Sequence, residues 1–186
     1  GSSGSGTVTS TGTATIDGGG ALTATTFDVT SGTLNVSANL SAGSIANLNI
    51  NTTKTGDGTL VLSGANTYVN SITYVKDGIL VAANSAALGS SSNTVVVDSG
   101  ASLYLAGGIS ITPKAMTISG DGANGEGALY SSSGVNTYTG DLQTNKLISN
   151  TIGAATGSTL NIAPNNLNTS TALTFATQGT GIINVT

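Results

Sequence analysis

The sequence predicts an all-β chain wound as a parallel β-helix, a β-solenoid of roughly seven to eight coils. Three observations carry that expectation. Thr, Val and Ile together supply 56 of the 186 residues, which favours strands. One Glu, two Gln, four Lys and no Arg leave almost nothing to cover the exposed face of a helix. The third observation is a period. A Gly followed by small or polar residues and then alternating apolar positions returns along the whole chain.

Taken in order, the marked runs are Gly32–Val36, Gly58–Leu62, Gly78–Val81, Gly100–Leu105, Gly127–Tyr130, Gly157–Ile162 and Gly181–Val185. Their marker residues are 34, 60, 80, 103, 129, 160 and 183, a mean spacing of about 25 residues. Further β-like runs lie between them, among them Thr94–Val97 and Ala115–Ile118. Two or three strands per 25 residues, with Gly, Asn or Asp at the bends, describe one coil of a solenoid. Coils stacked about 4.8 Å apart then give a rod on the order of 35 Å long. Leu, Val and Ile are expected inside and Thr, Asn and Ser outside. Asn is expected at bends because it tolerates left-handed backbone angles. Ser85–Gly89 reads as a single helical turn stopped by Gly89. The rival architecture is a β-sandwich or jelly roll. It is disfavoured because tight hairpin signals are scarce, Asp77-Gly78 and Asn124-Gly125 being the clearest.

Composition also narrows function. Over half of the chain is Gly, Ser, Thr and Asn, as in a linker. Yet 38% of residues are hydrophobic and only 6% charged, so a core can close. With no Cys there is no disulfide framework or thiolate metal site. With no His the commonest general base is missing. No window approaches 18 apolar residues, so no membrane insertion is expected. A net charge of −4 without Arg argues against nucleic acid, and Lys54, Lys76, Lys114 and Lys146 form no patch. Gly1–Gly6 reads GSSGSG and is compatible with two readings, an added Gly/Ser linker or, as the favoured one, a mature start left by signal cleavage. Organisation is expected as a Gly/Ser leader with a Thr-rich strand arm at 1–16 and a solenoid domain at 17–186, with the core pattern beginning near Leu22.

The run Lys54-Thr55-Gly56-Asp57-Gly58-Thr59-Leu60-Val61-Leu62-Ser63-Gly64-Ala65-Asn66-Thr67-Tyr68, continued by Gly78-Ile79-Leu80-Val81, resembles the passenger-associated β-strand repeat of bacterial autotransporters. Ala87-Leu88-Gly89 through Val95-Val96-Val97 to Leu103 resembles a second unit. Gly134-Val135-Asn136-Thr137-Tyr138-Thr139-Gly140 is a degenerate copy. The chain departs from the family after Tyr68, where Val69-Asn70-Ser71-Ile72 replaces the usual Gly-Gly opening. The resemblance implies a right-handed parallel β-helix in a secreted or surface-displayed bacterial protein, with glycines at its corners and Leu/Val in its core. The repeat itself carries no activity.

Candidate chemistry is sparse. Asp57 reads as a turn former. Asp121, Asn124 and Glu126 in the Gly-rich stretch 120–127 are weak calcium candidates, because Ala123 stands where an EF-hand would need a ligand. No metal and no cofactor are expected. An enzyme is not expected either: glycoside hydrolysis needs two carboxylates at fixed separation, and a Gly loop fixes Asp121 and Glu126 poorly. Tyr68, Tyr74, Tyr104, Tyr130 and Tyr138 could bind a glycan as a stacking row, or else pack corners. The ends suggest a partner. Val8, Thr9, Thr11, Thr13, Thr15 and Ile16 form a β-prone arm, and Ile182, Ile183 and Val185 end the chain in a strand. Open solenoid ends invite strand addition. The expected function is therefore an extracellular structural subunit that assembles head to tail with copies of itself, by N-terminal strand donation. The alternative is an adhesin passenger segment binding glycan or a host surface.

Overall fold

The computed structural model describes residues 6–18, 22, 24–40, 52–111, 115–169 and 171–186. Their strands alternate between two sheets in the first four rungs: β1 (Gly6–Thr11) and β2 (Ala14–Ile16), β3 (Ala24–Ser31) and β4 (Thr33–Val36), β5 (Thr52–Thr55) and β6 (Thr59–Leu62), β7 (Ile72–Val75) and β8 (Ile79–Ala82). The fifth rung, β9 (Thr94–Val97) and β10 (Ser102–Ala106), adds a third side with β11 (Ser110–Ile111). Three-strand rungs follow: β12 (Ala115–Ile118), β13 (Leu129–Ser133) and β14 (Val135–Tyr138), then β15 (Leu142–Thr144), β16 (Asn150–Ala154) and β17 (Thr159–Ile162). β18 (Leu167–Asn168), β19 (Leu173–Thr177) and β20 (Ile182–Val185) complete the eighth rung. Two eight-stranded sheets and one four-stranded sheet result, and every ladder is parallel. Eight rungs make about seven turns of a β-solenoid. Hairpins would have given antiparallel ladders, so the sandwich is excluded.

The winding follows from side-chain size and alternation. β4, β6, β7, β8, β9, β12 and β17 each bury every second residue. A strand of four residues hides only two side chains, so it holds only when the next coil repeats it in register. The second sheet shows the result. Leu34, Leu60, Leu80, Leu103, Leu129 and Ile152 form one buried column that ends on Phe175. Val36, Leu62, Ala82 and Leu105 run beside it.

Four expectations are corrected. Leu160 is buried as expected but does not continue the Leu129 column. It sits in the third sheet between Asn136 and Ile183. The 31-residue step from 129 to 160 was thus a change of sheet, whereas 129 to 152 to 175 keeps the register at 23. Ser85–Gly89 is a turn, not helix. Ala87 N–H donates to Asn84 O and Gly89 N–H to Ala86 O, each at 2.9 Å, and the segment is too short to nucleate more. Residues 6–16 are no separate arm. Gly6–Thr11 pairs with Ala24–Ser31 and Ala14–Ile16 with Leu34–Val36, and Val8 and Ile16 already pack against the core. Bends do not rely on left-handed Asn either: Asn70, at φ 51°, is the one such non-Gly residue among those described. The GSSGSG leader falls outside the described residues up to position 5.

Candidate functional site

Asparagine works at the corners through its side chain. Asn66, Asn93, Asn136 and Asn150 are buried, and each amide bonds backbone through both its oxygen and its nitrogen. Asn66 Oδ1 accepts the Leu40 N–H from the rung before at 2.7 Å, while Nδ2 donates to Ala87 O in the rung after at 2.5 Å. Asn93 Oδ1 accepts from Ser71 N–H, and its Nδ2 donates to Tyr68 O and Leu88 O. Asn150 Oδ1 accepts from Gly120 N–H, and its Nδ2 donates to Asn145 O, Ile148 O and Thr171 Oγ1. A bend leaves backbone groups outside the ladder, and burying them unpaired is costly. One amide supplies both a donor and an acceptor, so it can staple successive rungs where no strand reaches.

Lys54 is the less expected core residue. It stands in a column of the first sheet between Phe27 and Val75 and is buried. Its three ammonium donors meet three carbonyls: Thr55 O at 2.8 Å, Gly56 O at 2.5 Å and Asp77 O at 3.1 Å. Burial lowers its pKa from 10.5 to about 8, against the opposing pull of Asp77, Asp28 and Asp57. The same corner requires Gly78. Its φ is +63°, and a Cβ there would lie 2.5 Å from both Gly56 O and Gly58 O of the rung before. Tyr68 closes the other end of this rung, buried with its Oη 3.4 Å from Thr73 Oγ1. A Lys, two corner glycines, an inward Asn and an inward Tyr at these spacings are one structural unit.

Residues 53–82 match the family model of the passenger-associated-transport-repeat. The repeat covers β5 to β8, two rungs, and contains Lys54, Asn66, Tyr68 and Gly78. The second unit at 87–103 and the degenerate copy at Gly134–Gly140 lie outside the matched residues. Even so, Asn136 and Tyr138 face inward as Asn66 and Tyr68 do. The repeat and the solenoid fold together fit an autotransporter passenger-type region. No curated protein and no solved structure matches the chain.

The Gly-rich stretch 120–127 lies over the outward face of the second sheet. Tyr104 and Tyr130 are register neighbours there, with ring centroids 4.7 Å apart, and both are buried beneath it. Tyr104 Oη donates to Glu126 Oε2. Gln178 Nε2 donates to Glu126 Oε1 at 2.8 Å and Tyr130 Oη to Gln178 Oε1 at 3.0 Å. The Tyr104 hydroxyl holds the Glu126 carboxyl below its usual range, and burial followed by that same bond pushes the Tyr104 phenol up. Asp121 points elsewhere, accepting from Thr151 Oγ1 at 2.6 Å. The calcium candidates Asp121 and Glu126 therefore serve two different protein partners, while Asn124 Nδ2 reaches Tyr104 Oη at 3.4 Å. Among the described residues no group of three or more Asp or Glu is placed to hold a metal ion. Gly153 makes the latch possible, because a Cβ on it would collide with Glu126 O and with the Tyr130 ring. A Gly inside the strand-like run Thr151-Ile152-Gly153-Ala154 was the available signal for such a close approach.

Of the two readings of the tyrosines, a stacking row or packing, the burial fits packing. Tyr68, Tyr104, Tyr130 and Tyr138 are buried, and Tyr74 is half-exposed beside Lys76. The assembly candidates sit at opposite ends. Thr9, Thr11, Thr13 and Thr15 are exposed on the first rung, while Val8 and Ile16 are half-buried. On the last rung Ile182 and Val185 are 50% and 45% exposed and Ile183 is half-buried.

Proposed function

We propose that the chain is a structural subunit of a bacterial cell-surface or matrix fibre, an extracellular rod that lengthens by head-to-tail contact between copies. The passenger-type repeat supports export to the bacterial surface. The observation that carries the fibre reading is the in-register parallel stacking of the described rungs, which gives two eight-stranded sheets whose ladders a further copy can extend. On the edge of that stack formed by β18, β19 and β20, Phe175, in register with Ile152, and Val185, in register with Ile162, are 46% and 45% exposed. The first rung of a second copy offers edges in the same two large sheets. β1 of one copy would continue the ladder of β18, and β2 that of β19. Seating the two ends together would bury the exposed column and pair backbone groups at each edge, at about 0.5–1.5 kcal/mol net per hydrogen bond. Strand donation then takes the form of edge addition, because residues 6–16 stay on their own coil.

Purified full-length chain at high concentration, viewed by electron microscopy and followed by light scattering, tests this. Filaments one solenoid wide are expected, retained in Leu147→Lys, which alters an exposed side corner, and lost in Phe175→Lys and Val185→Lys. Deleting residues 1–16 does not discriminate, since β3 and β4 would then offer equivalent edges. A strictly monomeric chain, or end variants that still form filaments, would overturn the fibre reading in favour of a passenger segment of an adhesin.

A further inference from the structure

Asn124-Gly125 is the single Asn-Gly dipeptide in the chain. Both residues are exposed, and Gly125, at φ +71°, has open space around its α-carbon. We propose that Asn124 is a self-modification site whose conversion to a carboxylate releases the 120–127 loop from the tyrosine pair. The reaction is an intramolecular substitution. Gly125 N gives its proton to solvent base and bonds to Asn124 Cγ, while the Cγ–Nδ2 bond breaks and the nitrogen leaves as ammonia. Water then opens the five-membered imide at either carbonyl, giving an aspartyl residue in the normal linkage or an isoaspartyl link through the side chain. Only water is consumed, and no enzyme is needed. A side chain at the following residue would hinder the attack, and Gly125 has none.

The surroundings give this chemistry a gate and a consequence. Gly125 N–H donates to Gly122 O at 3.3 Å, and Gly127 N–H to Asp121 O at 2.9 Å. The nitrogen can attack only when that turn opens, so the anchors holding the loop set the rate. Those anchors include the bonds from Tyr104 and Gln178 to Glu126, beside Ala123 N–H to Ser102 Oγ at 2.9 Å, Ser102 Oγ to Gly127 O at 2.8 Å and Thr151 Oγ1 to Asp121 at 2.6 Å. The product undoes them. Asn124 Nδ2 donates to the Tyr104 oxygen, and a carboxylate, an acceptor only, cannot. It also sets a second negative charge beside Glu126, which disfavours the ionised carboxylate that Tyr104 binds. An isoaspartyl link lengthens the loop backbone by one carbon as well.

The test is ageing of the full chain in mildly alkaline buffer, followed by lysine-specific cleavage to the peptide Ala115–Lys146 and fragment-ion mapping. The amide-to-acid mass gain is expected at Asn124 before the exposed Asn165, Asn166 and Asn168, together with an isoaspartyl signal. Glu126→Gln and Tyr104→Phe should each speed it severalfold by loosening the loop, and Asn124→Gln should abolish it. In aged chain, hydrogen exchange should rise across 120–127 while the rung of β9 and β10 stays protected. Overturning results are an amide retained at Asn124 while the other asparagines convert, equal rates in wild type and both anchor variants, or unchanged exchange in the converted loop.

Discussion

Removing one corner amide should cost as much as emptying a core position. Asn136 Oδ1 accepts from Gly108 N–H at 3.1 Å and Ile109 N–H at 2.9 Å, and its Nδ2 donates to Leu105 O, Ser131 Oγ and Ser133 O. Asn136→Ala leaves two of the acceptors with other donors, Ser132 Oγ to Leu105 O and Gly107 N–H to Ser133 O, while the Ser131 hydroxyl loses the donor it accepted from and keeps only its own donation to Thr159 O. Gly108 is exposed and turns to water. Ile109 is buried, so its N–H is orphaned, at about 1–3 kcal/mol. With the three Nδ2 bonds weakened by about 0.5–1 kcal/mol each, the sum is about 2.5–6 kcal/mol. Asn136→Asp keeps both acceptor bonds but turns a carboxylate toward three oxygens, which raises its pKa. The loss is therefore largest near neutrality and shrinks as acid protonates the group. Asn161, whose amide oxygen accepts from Asn184 Nδ2 at 2.8 Å on the exposed side of the third sheet, is the control, and its replacement by Ala should cost under about 1 kcal/mol. Urea unfolding followed by circular dichroism gives the global value. Hydrogen exchange over 105–138 localises it, because solenoid rungs need not unfold together. Equal costs for Asn136→Ala and Asn161→Ala would refute the stapling role.

The remaining predictions follow from the core and its few polar members. Leu103→Ala should lower stability by about 2–5 kcal/mol and Thr59→Ala by under about 1 kcal/mol; equal losses in urea titrations would mean that inside and outside are misassigned. Thr144→Val should raise the unfolding midpoint, by about 1 kcal/mol, because Thr144 Oγ1 is buried without a hydrogen-bond partner; a lower midpoint would mean that the hydroxyl is satisfied. Lys54 titrates near 8 when folded and 10.5 when unfolded, so the unfolded chain binds the extra proton in that window and the melting temperature should climb from pH 8 toward 10. Above about pH 10 it should fall again, since Tyr104 and Tyr138, raised chiefly by burial, resist an ionisation that the unfolded chain undergoes. Lys54→Met should lose the climb, and an unchanged profile would contradict the assignment. Millimolar calcium should leave the melting temperature unmoved, because Asp121 and Glu126 already answer to Thr151 and to Tyr104 and Gln178; a rise abolished by Asp121→Ala would make the loop a metal site.

The winding is already present in the order of the residues. A short strand with two inward side chains, returning every 25 residues or so, has few ways to bury them other than stacking on its own repeat. The columns from Leu34 to Leu129 were legible for that reason, as were the corner glycines Gly56 and Gly78 and the repeat at 53–82. Which residues share a rung was settled only in three dimensions. From β11 onward the third sheet adds a strand to each coil, and after Leu129 the next Gly-marked run, at Leu160, falls on that side, which only the register of Leu129 with Ile152 reveals. The same holds for what the polar residues do. In the chain Lys54 and Asn136 stand out only as members of repeat-like runs, and Glu126 as a loop acid. Their partners Asp77, Ile109 and Gln178 lie 23, 27 and 52 residues away. Coiling brings such partners within hydrogen-bond distance. Periodicity reports which face a side chain occupies. Which atoms of a neighbouring coil meet it depends on corner geometry that the period does not carry.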